Sequence, residues 1–221
     1  MAMRSISMLA VVAALFLGGC ENLVFSEKPW FTADDAIGGR AVRPGWWMED
    51  APGCRVDLDA PNTAWPDCAK TVLAPSEWKG VLWALDGTQH MLVEGDPMIA
   101  QYEFSTSETA AVPSQHAYLY FGVAALKRDE EGRAVVLRYW PTLCGPPRRD
   151  RPAAVTRRPW PGLSVKREGG CVARDVGTLR KTAERSRALG SDTPTIRWLR
   201  DWRTGDQGEA DWLADQGIRT H

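Results

Sequence analysis

WKGVLWALDGTQHMLVEGDPMIAQYEF, running from Trp78 to Phe104, decides the fold class. Trp78 to Leu85 is dense in aromatic and branched residues, which suit a pleated, half-buried surface. Asp86-Gly87 follows, the two-residue signal for a type I′ hairpin turn. Thr88 to Glu94 reads as the returning strand, with Met91 and Val93 on one face. Gly95-Asp96-Pro97 turns the chain again. Met98, Ala100, Tyr102 and Phe104 then alternate with Gln101 and Glu103, the period-two pattern of a half-buried strand.

Working outward, the same grammar continues. Gln115 to Leu126 is apolar on both faces, which places it centrally in a sheet. Lys127 to Gly132 is a charged hairpin loop, and Arg133 to Trp140 is the next strand, ended by Pro141, which cannot donate to a ladder. Upstream, Arg43-Pro44-Gly45-Trp46-Trp47-Met48 reads as a turn feeding a first short strand. Downstream, Asp175 is a helix N-cap. Val176, Leu179 and Ala183 then form one apolar stripe, and Arg180, Lys181, Arg185 and Arg187 lie toward the other side or the C-terminal end, where they suit the helix dipole. Gly190 is a stop. Thr193 to Asp201 is one more strand returning to the sheet. The expected fold is α+β: a meandering antiparallel sheet of about 5–7 strands, free to curve or close into a barrel, with one helix near 176–189 packed on it.

The N-terminus carries a different signal. Met1 to Arg4 brings one positive charge, and Ile6 to Leu17 is apolar apart from Ser7. That run is too short to span a hydrocarbon core, which needs about 20 helical residues. It has the pattern of a removable targeting segment. Leu17-Gly18-Gly19-Cys20 resembles the lipobox of bacterial lipoproteins. The resemblance implies diacylation of the Cys20 thiol, cleavage before it and acylation (palmitate among the expected chains) of the new amine. Glu21 after the cysteine implies transfer to the outer membrane, facing the periplasm. Several acyl chains anchor stably without a protein span, each buried CH₂ contributing ~0.8 kcal/mol. The organisation read here is a signal peptide over 1–19, a lipid-anchored tether over 20–40, a single globular domain over 41–203 and an acidic tail over 204–221.

Beyond residue 19 the chain is long enough for one domain with a real core. At 44% apolar and 25% charged, its composition excludes wholesale disorder. Charge is uneven: 20–110 carries 15 acids and 6 bases, 111–221 carries 13 acids and 20 bases. Packing of the two halves against each other, with local neutralisation, is the favoured account. Four cysteines remain: Cys54, Cys68, Cys144 and Cys171. In an oxidising compartment an even count reads as disulfides, with three pairings open. Nearest-neighbour pairing, 54–68 and 144–171, is expected, each bond closing a loop dense in turn residues and contributing roughly 3 and 3.5 kcal/mol through unfolded-state entropy. A zinc site is the rival, but there is no C-x-x-C and no His at finger-like spacing.

Signals for catalysis are thin. His90 and His116 fall in expected strands and His221 is terminal. G-x-S-x-G, the P-loop, G-x-G-x-x-G and H-E-x-x-H are all missing. Asp57-Leu58-Asp59-Ala60-Pro61-Asn62 begins like a calcium loop, but Pro61 and Asn62 break its ligand spacing. Trp65-Pro66-Asp67-Cys68 and Trp140-Pro141-Thr142-Leu143-Cys144 share an order of aromatic, strand-ending Pro and Cys, reading as bulky caps beside disulfides. One stretch does suggest binding. Arg148, Arg149, Arg151, Arg157 and Arg158, with Lys166 and Arg167 beyond, face only Asp150 among nearby acids, and guanidinium forks suit phosphate and carboxylate. A solvated, Pro-stiffened loop is the plainer account of it.

The mature chain resembles uncharacterised envelope lipoproteins of proteobacteria, on Pro-Gly-Trp-Trp at 44–47, Trp-Pro-Asp-Cys at 65–68, Gly-Asp-Pro at 95–97 and Cys-Gly-Pro-Pro at 144–147. None of these stretches carries a known activity, so the resemblance supplies no mechanism. The expectation is a non-catalytic, lipid-anchored envelope protein with a binding or structural role and no cofactor or metal. Its partners would be the membrane through the N-terminal lipid and an envelope protein or anionic envelope polymer, not nucleic acid. The alternatives are a small-ligand or saccharide binder with a Trp-lined cavity, and a periplasmic enzyme.

Overall fold

From Gly45 to Pro141 sequential strands pair as neighbours without exception, even across the disulfide-closed loop that separates Glu49 from Val72. The computed structural model describes residues 20–36, 42–69, 72–74, 81–84, 89–105, 116–167, 169–189, 194–201, 203 and 206. After β1 (Phe25–Ser26), a meander runs through β2 (Gly45–Glu49), β3 (Val72–Ala74), β4 (Val81–Ala84), β5 (Gln89–Val93), β6 (Met98–Ser105), β7 (His116–Arg128) and β8 (Ala134–Pro141). Each pairs antiparallel with the next. A short hairpin of β9 (Leu163–Val165) and β10 (Cys171–Ala173) leads into α1 (Val176–Arg187), and β11 (Thr195–Arg200) follows.

β11 decides the architecture. It pairs with β8 through Ile196 opposite Leu137, and with β2 through Trp198 opposite Trp47. The sheet therefore curls until the pairing order returns to its start, leaving none of these eight strands with a long open edge. Trp47, Leu92, Met98, Ala100, Val123, Leu137 and Ile196, from six different strands, meet in one buried cluster. Cross-ring convergence of this kind marks the inside of the curl.

β5, β6 and β7 are buried on their other face as well, where Val93, Ile99 and Tyr120 lie with Leu179 and Ala183 of α1. Double burial explains the continuous apolar reading of Gln115 to Leu126. It also corrects the reading of β6: Gln101 does not face water. Its side chain is 4% exposed, accepts from the Trp30 and Phe31 amides at 3.0 Å each and donates to the Phe31 carbonyl at 3.0 Å.

α1 starts where the sequence places it, with the Asp175 carboxylate accepting from the Thr178 amide at 2.6 Å. Trp140 lies under it across Gly122, where a Cβ would come within 2.4 Å of the indole. The indole N–H donates to the Ala183 carbonyl at 2.8 Å. Both expected disulfides are present, Cys54–Cys68 and Cys144–Cys171.

The N-terminal segment departs from expectation. Residues 20–36 do not hang free as a tether. Pro141 ends β8 opposite Phe121, and the edge of β7 left beyond it, Tyr118–Leu119, is taken by β1. Val24 is fully buried and Phe31 nearly so. Among the described residues no helix is long and apolar enough to cross a membrane. Residues 1–19, Gly190 and nearly all of 204–221 lie outside the described residues.

Candidate functional site

The loop that carries the five arginines expected to bind anions is pinned at its ends by a residue from early in the chain. Asn22 is 2% exposed. Its side-chain amide donates to the Gly145 carbonyl at 3.2 Å, its side-chain oxygen accepts from the Thr156 amide at 3.0 Å, and its own carbonyl accepts from the Cys144 amide at 2.8 Å. Buried amides seldom go unpaired, and here one asparagine fixes both ends of the loop. Within it, the Thr156 hydroxyl accepts from the Arg158 amide at 3.1 Å.

Arg148 is the inward member, half-buried and ion-paired to Asp150 at 2.6 Å, which holds that carboxyl down at about 2. Arg149, Arg151, Arg157 and Arg158 are exposed, and none takes part in an ion pair among the described residues. The loop thus spends one cation internally and presents four outward. Free guanidinium forks can grip phosphate or carboxylate oxygens in pairs.

A second polar grouping sits at one end of the curled sheet. β2, β6 and β8 end there and β5 and β7 begin, by their antiparallel registers. The Tyr139 hydroxyl donates to Glu49 at 3.2 Å. Burial, followed by the charge of Glu49, pushes that hydroxyl's pKa well up, so it is a fixed donor. His90 stacks on Tyr102 with ring centroids 5.1 Å apart, and Phe121 is tilted 6.3 Å from the same imidazole. The opposite end is stoppered: the Arg43 guanidinium lies 3.7 Å over Trp198, whose indole donates to the Pro44 carbonyl at 2.9 Å.

The remaining candidates are absorbed into structure. The Asp57 carbonyl accepts from the Trp65 indole at 2.9 Å, and the Leu58 carbonyl and Asp59 carboxylate face Arg203 at 2.7 and 3.3 Å. The calcium-like stretch is thus a turn closed by the Cys54–Cys68 bond. Trp65 and Trp140 are both buried, 3% and 1% exposed, as caps. Among the described residues no three His, Cys, Asp or Glu side chains gather as a metal site. Only the backbone of Cys20 is described, in a short 3₁₀ turn reaching Asn22, and the side chain of His116 and all of His221 lie outside the described residues.

Comparison with protein-family models, curated proteins and solved structures finds no match.

Two structural features have no signal in the sequence. Asn22 looked like part of a tether, because its partners stand more than 120 positions away. The Arg200–Asp206 pair was divided by a domain boundary drawn at 203, yet it is bidentate at 2.6 Å and its side chains are 5% and 2% exposed.

Proposed function

We propose that this chain is a lipid-anchored protein of the cell envelope, carried on Cys20 at the outer membrane's periplasmic side, with a non-catalytic binding role. The observation that carries the reading is the basic loop: exposed guanidiniums, fixed by a buried asparagine two residues after the lipobox cysteine. Its partner is an anionic envelope component. Leu17-Gly18-Gly19-Cys20 supports the anchor, and two disulfides fit an oxidising compartment. A densely filled inside of the curl, with Trp47, Leu92 and Leu137 fully buried, favours a surface site over an internal one.

Cys20→Ala is the test. The variant should lose acylation and lipoprotein-type cleavage. Wild type should stay with membranes through a high-salt wash, while the variant, if processed at all, should be released. A variant that still fractionates like wild type would sink the anchor reading.

A small-ligand site at the end holding Glu49, Tyr139, His90 and Tyr102 is the second reading, favoured by the concentration of polar aromatic groups there. Tyr139→Phe should then weaken binding of cationic or aromatic ligands in calorimetry while leaving the loop's anion binding unchanged.

A further inference from the structure

We infer that the anionic component is the anchoring bilayer itself: the basic loop lies flat on the phosphates of the membrane that holds Cys20. The inference rests on the reading of Cys20 as lipid-bearing and goes beyond it by fixing the orientation of the domain.

Asn22 is two residues from Cys20, and two residues of extended chain span at most about 7 Å. Charges are screened over about 8 Å at physiological salt. The ends of the loop, hydrogen-bonded to Asn22 at Gly145 and Thr156, therefore stay close to any surface that holds Cys20.

A second basic turn is fixed to the same exit. The Gly170 amide donates to the Glu21 carbonyl at 2.6 Å and the Cys171 amide to the Leu23 carbonyl at 3.1 Å. Gly170 has φ +69, and a Cβ there would sit 2.7 Å from Phe25. This close approach sets the turn that carries Lys166 and Arg167 against Glu21, which a Cβ on Gly169 would meet at 3.4 Å. Val165, next to them, is 42% exposed, an apolar side chain suited to the headgroup boundary. In sequence, seven basic residues of the two turns meet three acids, Glu21, Asp150 and Glu168. The surplus surrounds the point where the chain leaves toward the lipid.

Among the described residues of the far end, bases mix with acids. β7 runs from its contact with β1 at Leu119 to Arg128 at the hairpin, a length of about 30 Å. There Arg133 is paired to Asp129 at 2.8 Å, and Arg43 to Asp201 at 2.9 Å.

The test is arginine footprinting with a dicarbonyl reagent. Full-length processed protein from envelopes is presented to phosphatidylglycerol vesicles and to phosphatidylcholine vesicles. Basic residues held at an anionic surface gain about fivefold each in local partition, so Arg149, Arg151, Arg157 and Arg158 should react several-fold more slowly with phosphatidylglycerol. Arg128 and Arg197 should react alike in both. Raising salt to about 1 M, where the screening length is about 3 Å, should erase the difference. Equal reactivity of the loop in both vesicles would overturn the inference, as would protection that appears only on adding a soluble anionic cell-wall polymer. The mass of the N-terminal peptide reports acylation separately, so failure of the anchor and failure of the face are distinguishable.

Discussion

Arg200 and Asp206 meet where neither reaches bulk water, and what surrounds them shows why the pair persists. The guanidinium also donates to the Ala60 carbonyl at 3.3 Å and lies 4.7 Å from the Trp65 ring. The carboxylate accepts from the Asn62 and Arg203 amides at 3.0 Å each. Burial pushes the Asp206 pKa up, but Arg200 and these amides outweigh it, and it settles at about 2. A lowered pKa means the folded state favours the charged form. The pair's contribution is thus present above the ordinary carboxylate value near 3.8 and lost as pH falls through about 2. Arg200→Met leaves a buried carboxylate without its cation and should cost about 3–5 kcal/mol near neutrality. In urea unfolding, the gap between variant and wild type should narrow as pH falls from neutrality toward 2.5, because the stranded carboxyl can protonate. A constant gap across that range would show that Asp206 is not the group involved. No local pattern could reveal this pair, since an acid after the last strand reads as tail.

Elements were legible where periodicity is long and obscure where burial is polar or brief. β5 through β8 emerge from alternation and turn residues, and α1 from Asp175 and its stripe. The helix's buried face, however, also carries Thr178, Thr182 and Ser186. The Ser186 hydroxyl donates to the Thr182 carbonyl at 2.8 Å and accepts from the Leu143 amide at 2.9 Å. Their partners are remote or hidden in the helix itself, so the sequence shows only polar residues. β9 and β10, three residues each, are too short for any period to register. The docking of α1 is nevertheless testable through its apolar stripe. Leu179 is fully buried and Arg185 exposed. Leu179→Ala should cost about 2–5 kcal/mol, and Arg185→Ala should stay within about 0.5 kcal/mol, by urea unfolding with disulfides intact. Equal small losses would mean that the helix is not docked.

At the scale of the whole chain, the opposite charges of the two halves meet in part. Arg197 pairs with Asp50 at 2.8 Å and Arg203 with Asp59 at 3.3 Å, both bringing a late base to an early acid. β11, inserted between β8 and β2, creates the first of these contacts, and its place beside both ends of the meander was not written in any local signal. Among the described residues the arginine loop is one stretch where the surplus stays unneutralised, and the start of the chain holds its ends. Asn22 therefore links the start of the described chain, the loop and the Cys144–Cys171 bond in one unit. Asn22→Ala removes two side-chain hydrogen bonds and leaves the Thr156 amide and Gly145 carbonyl unpaired, costing about 2–4 kcal/mol in all. The loop should loosen ahead of the curled sheet, whose ladders do not depend on it. Under native conditions trypsin should then cut after Arg149 or Arg157 much faster than in wild type. The two pieces should stay joined through Cys144–Cys171 and separate only on reduction, because the cut falls inside the loop that this bond closes. Equal rates of nicking in variant and wild type would show that the loop is held by something other than Asn22, and the proposed placement of the arginines against a membrane would lose its support.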